Sequence, residues 1–135
     1  MAEKTFIDKL ALLYVKDNKV LTSMSHGKDT WYLPGGKRES GESDEQALRR
    51  EVMEEMSVGL VDGTITYYGT FEAQAHGKPE GTIVRMTCYT AEIDGEMKPT
   101  SEVERLEFHG YHDDIPKSPV DYLIFDDLYK KQLIK

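Results

Sequence analysis

The sequence predicts an α/β fold in which strands and two helices share one layered core, and three observations carry that prediction. The 135 residues suffice for one domain, taken as residues 1–135, at roughly 100–200 residues per domain. With 39% hydrophobic and 31% charged residues, the chain has enough apolar material to fold. Its β-branched and aromatic stretches are interspersed with two segments of helical spacing, with no repeat, low-complexity tract or linker between them.

Taken in order, Phe6 to Thr22 holds two apolar segments broken by Lys16-Asp17-Asn18-Lys19, a polar break suited to a hairpin turn. Trp31-Tyr32-Leu33 reads as a short strand that stops at Pro34-Gly35-Gly36, because proline lacks a donor and glycine permits positive φ. Ser43 and Gln46 have the spacing of a capping box, which predicts a helix from Ser43 to about Met56. Strands are expected over Thr64 to Phe71 and Thr82 to Ile93, with the polar stretch His76 to Gly81 as the turn between them. Ser118-Pro119-Val120-Asp121 reads as a second helix start, with Val120, Leu123, Ile124 and Leu128 at helical spacing.

Charge and cysteine content exclude several functions. Seventeen basic against 25 acidic residues leave a net charge of −8, which repels a nucleic-acid backbone, so duplex nucleic acid is not an expected partner. An anionic substrate needs a local device such as a bound cation to overcome that field. The single cysteine, Cys88, allows no intrachain disulfide and no Cys-based zinc site, which fits a reducing compartment. The apolar run Leu10 to Val15, between Lys9 and Lys16, is too short for a signal-peptide core or a membrane span. The expectation is a cytoplasmic protein, monomeric or homodimeric, with no membrane partner.

The first helix carries the sharpest signal. With about 100° per residue and Ala47 at zero, Leu48 lies at about 100° and Val52 at about 140°, which marks the buried face. Glu51, at about 40°, and Glu55, at about 80°, fall inside that apolar stripe, and Glu54 borders it at about 340°. A solvated helix face laced with i, i+4 pairs is the ordinary reading of such a Glu-rich string. The phase argues against it, because carboxylates on a half-buried face are costly unless paired or bound to metal. Three of them at i, i+3 and i+4 repel within one turn unless a cation compensates. All-oxygen donors favour magnesium or manganese over zinc.

Gly36, five residues, Glu42, seven residues, then Arg50-Glu51-Val52-Met53-Glu54-Glu55 match the pattern G-x5-E-x7-R-E-U-x-E-E-x-G-U, where U is a bulky aliphatic. By this match the chain resembles the Nudix hydrolases. Six fixed positions at fixed spacing arise by chance on the order of once per ten thousand chains of this size, so the signal is specific. One position departs: Ser57 stands where the family has glycine, although Val58 keeps the last aliphatic. Trp31-Tyr32-Leu33-Pro34-Gly35-Gly36-Lys37 is similar to the lead-in of the MutT-like branch.

The resemblance implies a Nudix-type αβα sandwich with a mixed sheet between helices. It implies a Mg2+- or Mn2+-dependent pyrophosphohydrolase acting on a small-molecule nucleotide, a nucleoside diphosphate linked to another moiety. A carboxylate-held ion meets the needs of such a reaction: it screens phosphate charge and lowers the pKa of the attacking water. Residue by residue, Glu51 and Glu55 become metal ligands, Glu54 a ligand or the base that deprotonates water, and the Gly36 carbonyl a further ligand. Arg50 and Glu42 become an ion pair that aims the carboxylates. The loop Ser101-Glu102-Val103-Glu104 is expected to supply one more acid, Glu102 ahead of Glu104. A damaged nucleoside triphosphate such as 8-oxo-dGTP is the substrate suggested by the MutT-like features. ADP-ribose, dinucleoside polyphosphates, capped RNA and a non-catalytic nucleotide sensor are the alternatives. Nothing in the box discriminates a base, so the base is assigned to the later strands and the loop ahead of the second helix, with Phe71, Lys117 and Ser118 as substrate-binding candidates. The loop Asp114-Ile115-Pro116-Lys117-Ser118 lacks the asparagine that MutT-like enzymes use for guanine.

Overall fold

The structure is a computed structural model and describes residues 4–135. Its central element is β1 (Thr5–Leu13), in which Leu10, Ala11, Leu12 and Leu13 are all buried. Side chains alternate across a strand, so a continuous apolar run requires cover on both faces. Leu10 and Leu12 pack with the first helix, and Ala11 and Leu13 pack with the second. A hairpin leads out of β1 through β2 (Val15–Lys16) and β3 (Lys19–Ser25). Its turn residues Asp17 and Asn18 both take positive φ, 53° and 64°, a conformation that short polar side chains tolerate.

The strand expected at Trp31-Tyr32-Leu33 is displaced. Trp31 and Tyr32 form only isolated bridges, and the strand itself is β4 (Gly35–Lys37), paired antiparallel with β1. Glycine makes this pairing possible rather than ending it. A Cβ on Gly35, whose φ is +146°, would lie 1.9 Å from the Leu10 carbonyl oxygen.

The first helix, α1 (Asp44–Met56), starts on the expected cap: Gln46 N–H donates to Ser43 Oγ and Ser43 N–H donates to Gln46 Oε1. At the other end Ser57 itself adopts the left-handed conformation, with φ 58° and ψ 33°, that the family's glycine would take. The helix buries Ala47, Leu48, Val52 and Met56, the last three worth about 1.5–3 kcal/mol each. After the short β5 (Gly59–Leu60), β6 (Thr66–Gln74) and β7 (Thr82–Thr90) form the long pair, with β6 running three residues past the expected end at Phe71.

β7 lies parallel to β1, so the four-stranded sheet has the order β4-β1-β7-β6 and is mixed. The short β8 (Ile93–Asp94) pairs with β5, and β9 (Val103–His109) pairs with β3 in the second, three-stranded sheet. The chain then enters α2 (Pro119–Lys130), with Ser118 at the cap position and Pro119 at the start. α1 and α2 cover opposite faces of β1, which makes an αβα sandwich. Among the described residues no helix is long and apolar enough to cross a membrane.

Candidate active site

Glu42, Glu51 and Glu54 converge on one arginine, Arg50, which ties the preceding loop to α1. Arg50 Nε donates to Glu42 Oε2 at 2.7 Å and Nη2 donates to Glu42 Oε1 at 2.9 Å, a bidentate fork. Nη2 also donates to the Lys37 carbonyl at 2.9 Å, and Glu39 N–H donates to Glu42 at 2.7 Å. The Arg50 contact and the Glu39 N–H hold the Glu42 carboxyl down to about 2, while Glu42 raises the Arg50 guanidinium. The remaining nitrogen, Nη1, reaches Glu51 at 2.9 Å and Glu54 at 3.4 Å. Arg50 thus organises both neighbouring carboxylates and is more than an i, i+4 surface partner of Glu54.

Glu55 faces the other way, toward β4. It accepts the Gly35 N–H at 3.1 Å, and burial pushes its carboxyl up to about 8, with Glu51, Glu102 and Glu54 adding repulsion. Glu51 is also raised, first by burial, against the lowering effect of Arg50. Glu102 is a loop acid whose charge acts on both Glu51 and Glu55, whereas Glu104 is an exposed residue of β9. Gly36 closes the arrangement. A Cβ there would lie 2.6–2.7 Å from the Glu51 carboxylate, so the glycine leaves the space in which that carboxylate meets the β4 backbone.

The donor chemistry suits a hard divalent cation: all-oxygen ligands, one of them a half-buried carboxylate with a single donor. Among the described residues, no three acidic, histidine or cysteine side chains are already gathered around one point. Glu51 and Glu54 are engaged by Arg50 instead.

The substrate candidates separate. Ser118 lines a cavity together with Lys9, Tyr32 and His76. Lys117 points elsewhere, with Nζ 4.5 Å and 4.6 Å from the ring centres of Tyr122 and Phe125. Phe71 lies on β6, partly buried against the core under α2 and stacked with Tyr68, and lines neither this cavity nor the one beside Glu55. Tyr68 and Tyr89 are tied down, donating to Asp127 and Asp44 at 2.7 Å and 2.6 Å. Sequence reasoning passed over Lys9 and Tyr32, which line both the cavity at Ser118 and the one beside Glu55.

A family model described as the NUDIX domain matches residues 8–127. The chain belongs to the Nudix family. An uncharacterized Nudix hydrolase of Bacillus subtilis is 29% identical over 118 residues, 86% of this chain and 75% of that one. An ADP-ribose pyrophosphatase of Methanocaldococcus jannaschii is 30% identical over 110 residues, covering 79% of this chain and 63% of the relative. In fold, the chain is similar to a MutT Nudix hydrolase of Burkholderia pseudomallei. The TM-score is 0.75 at 21% identity, over 91% of this chain and 98% of that one. As a Nudix hydrolase, the chain is a member of a family that generally works with divalent metal ions on small nucleotide substrates.

Proposed function

We propose that this Nudix hydrolase cleaves a phosphoanhydride bond of a nucleotide, a nucleoside diphosphate linked to another moiety, with Mg2+ or Mn2+ held on α1. The observation that carries the reading is the half-buried Glu55 carboxyl beside Gly35, crowded by Glu51, Glu54 and Glu102 in a protein of net charge −8. Such a group is costly unless a cation joins it. Glu51, Glu55, Glu102 and the Gly36 carbonyl are the proposed ligands. When bound, the ion screens phosphate charge and lowers the pKa of the attacking water. Glu54, the most exposed carboxylate of the helix set, is the proposed base or a further ligand. Glu42 positions Arg50, and Arg50 positions Glu51 and Glu54 until they turn to the ion.

The MutT-like features support a nucleoside triphosphate, including a damaged one such as 8-oxo-dGTP. The relative named ADP-ribose pyrophosphatase supports ADP-ribose as a second reading. The net charge supports a protein that works on small molecules without duplex nucleic acid or membrane. The lone buried Cys88 is consistent with a cytoplasmic setting. Hydrolysis of nucleoside triphosphates, ADP-ribose and dinucleoside polyphosphates, measured with and without magnesium, tests activity and substrate together. Absence of turnover on every compound in the presence of metal removes the proposal.

A further inference from the structure

The helix that carries the carboxylates is tied to the four-stranded sheet by few polar contacts. Among the described residues, α1 makes three side-chain hydrogen bonds to that sheet. Glu55 accepts the Gly35 N–H at 3.1 Å, Arg50 Nη2 donates to the Lys37 carbonyl at 2.9 Å, and Asp44 Oδ2 accepts the Tyr89 O–H at 2.6 Å. The first two end on β4 and belong to residues whose contacts change when an ion binds, since Glu55 is a proposed ligand and Arg50 gives up Glu51 and Glu54 to the ion. The third ends on β7, from the first residue of the helix, and involves neither a proposed ligand nor the arginine.

Tyr89 is a fixed point. Its backbone pairs with Leu12 of β1 on one side and with Tyr67 of β6 on the other, so it lies inside the sheet and not at its edge. Its ring packs against the core under α1, and the Tyr67 ring meets it edge-on, with centres 5.8 Å apart and 72° between the planes. The Tyr67 hydroxyl is itself hydrogen-bonded to Thr70 at 2.8 Å. Burial, and then Asp44, raise the Tyr89 phenol to about 12, so the hydroxyl stays a donor to the carboxylate. The other oxygen, Asp44 Oδ1, faces Arg38 Nε at 3.2 Å, in the loop that leaves β4. Arg38 Nη1 is enclosed without a partner, so Asp44 is the anion to which this arginine is bound. One short carboxylate thus joins β7, the loop after β4 and the first turn of α1.

Resting on the proposed metal site, we propose that Asp44 is a positioning residue for the metal ligands, a tether that fixes the tilt of α1 on the sheet through Tyr89 and the course of the loop through Arg38. The proposed ligands come from separate elements, Glu51 and Glu55 from α1 and the Gly36 carbonyl from β4. Their mutual spacing therefore depends on how the helix sits on the sheet. That spacing is close, because a Cβ on Gly36 would lie 2.6–2.7 Å from the Glu51 carboxylate. Asp44 and Glu55 are separated by about 16 Å along the helix axis, so a tether at the first residue governs the tilt at the carboxylates with a long lever. Magnesium demands near-octahedral geometry, and partners that orient its ligands act on its affinity without touching it. Asp44 acts in this way, through the helix and the loop, and not on the phosphoanhydride.

The experiment reads metal binding without turnover. Mn2+ alone is titrated into wild type, Tyr89→Phe, Asp44→Ala and Glu45→Ala, with the free ion measured by electron paramagnetic resonance and no nucleotide present. Urea unfolding establishes that each variant is folded. Tyr89→Phe changes no charge, so it separates the tether from the field of Asp44. Glu45→Ala removes an equal charge from the first turn, from a side chain that pairs with Arg49 within the helix. Tyr89→Phe and Asp44→Ala should each weaken Mn2+ binding by roughly tenfold, the low end of what partners orienting a ligand set are worth. Glu45→Ala should stay within twofold. A merely structural role for Asp44 would lower the urea midpoint and leave the Mn2+ affinity of the folded protein unchanged. Affinity of Tyr89→Phe within twofold of wild type, or an equal loss in Glu45→Ala, would overturn the inference while leaving the metal site intact. Wild type that binds no Mn2+ removes the proposed metal site, and the tether's role with it.

Discussion

The surroundings of Glu55 disfavour a charge on it, and its neighbours Glu51, Glu54 and Glu102 disfavour it further. Replacing it with glutamine removes the repulsion and keeps the shape. Glu54→Gln and Glu55→Gln should each lower kcat by roughly 100-fold or more while the metal-free protein melts no lower than wild type. Wild-type turnover in either variant would reduce α1 to an ordinary charged face. Glu102→Gln is the test of the loop acid, and a change below twofold would strike it from the ligand set. Asp121 gives a pH prediction free of metal. Its carboxyl is raised from about 3.8 to about 7, first by burial, with Lys9, Lys117 and Ser118 opposing, in a surrounding that also includes Tyr32 and Cys88. The folded state therefore binds the proton more tightly than the unfolded state, and that contribution, complete below about 3.8, is lost as pH rises through about 7. In EDTA, Asp121→Asn should gain stability relative to wild type from pH 4 to pH 7, with little further gain above. A melting-temperature difference that stays constant with pH would show that Asp121 does not titrate in that window.

At the scale of elements, the sequence was most legible where a local rule acts alone. Ser43 and Gln46 predicted the start of α1 because capping is a matter of four consecutive residues, and Pro119 marked the start of α2 for the same reason. The phase of Glu51 and Glu55 was legible because a helix repeats every 3.6 residues. Trp31-Tyr32-Leu33 misled because its β propensity was read without the partner strand. Pairing with β1 falls instead on Gly35–Lys37, where the absence of a Cβ lets the strands approach. Lys9 and Tyr32 were illegible because they share cavity walls only once residues far apart in the chain are brought together. Ser57 offers an element-scale test, since it holds a left-handed conformation that costs a non-glycine residue free energy. Ser57→Gly should stabilise the fold by about 0.5–1 kcal/mol in chemical denaturation, and Ser57→Ala should not. Equal effects of the two substitutions would mean that the backbone conformation carries no cost there.

Over the whole molecule, the charge of −8 opposes the approach of an anionic substrate. The cavity beside Glu55 has Lys9 in its wall but lies next to the carboxylates of α1, so a polyphosphate approaching the metal-free protein meets a repulsive field. A divalent ion reverses the sign at α1 and should be needed for nucleotide binding as well as for turnover. Calorimetry with a non-hydrolysable nucleotide analogue should show binding in magnesium and none in EDTA, and chelation should abolish phosphate release until magnesium or manganese is restored. Because the protein's negative field also draws the ion in, raising monovalent salt from about 0.1 M to about 1 M, which shortens the screening length from about 10 Å to about 3 Å, should raise the magnesium needed for half-maximal rate. A salt-independent requirement would mean that the ion is held by its immediate ligands alone. Undiminished turnover in excess EDTA would remove the metal from the mechanism, and with it the reason for three carboxylates within one turn of α1.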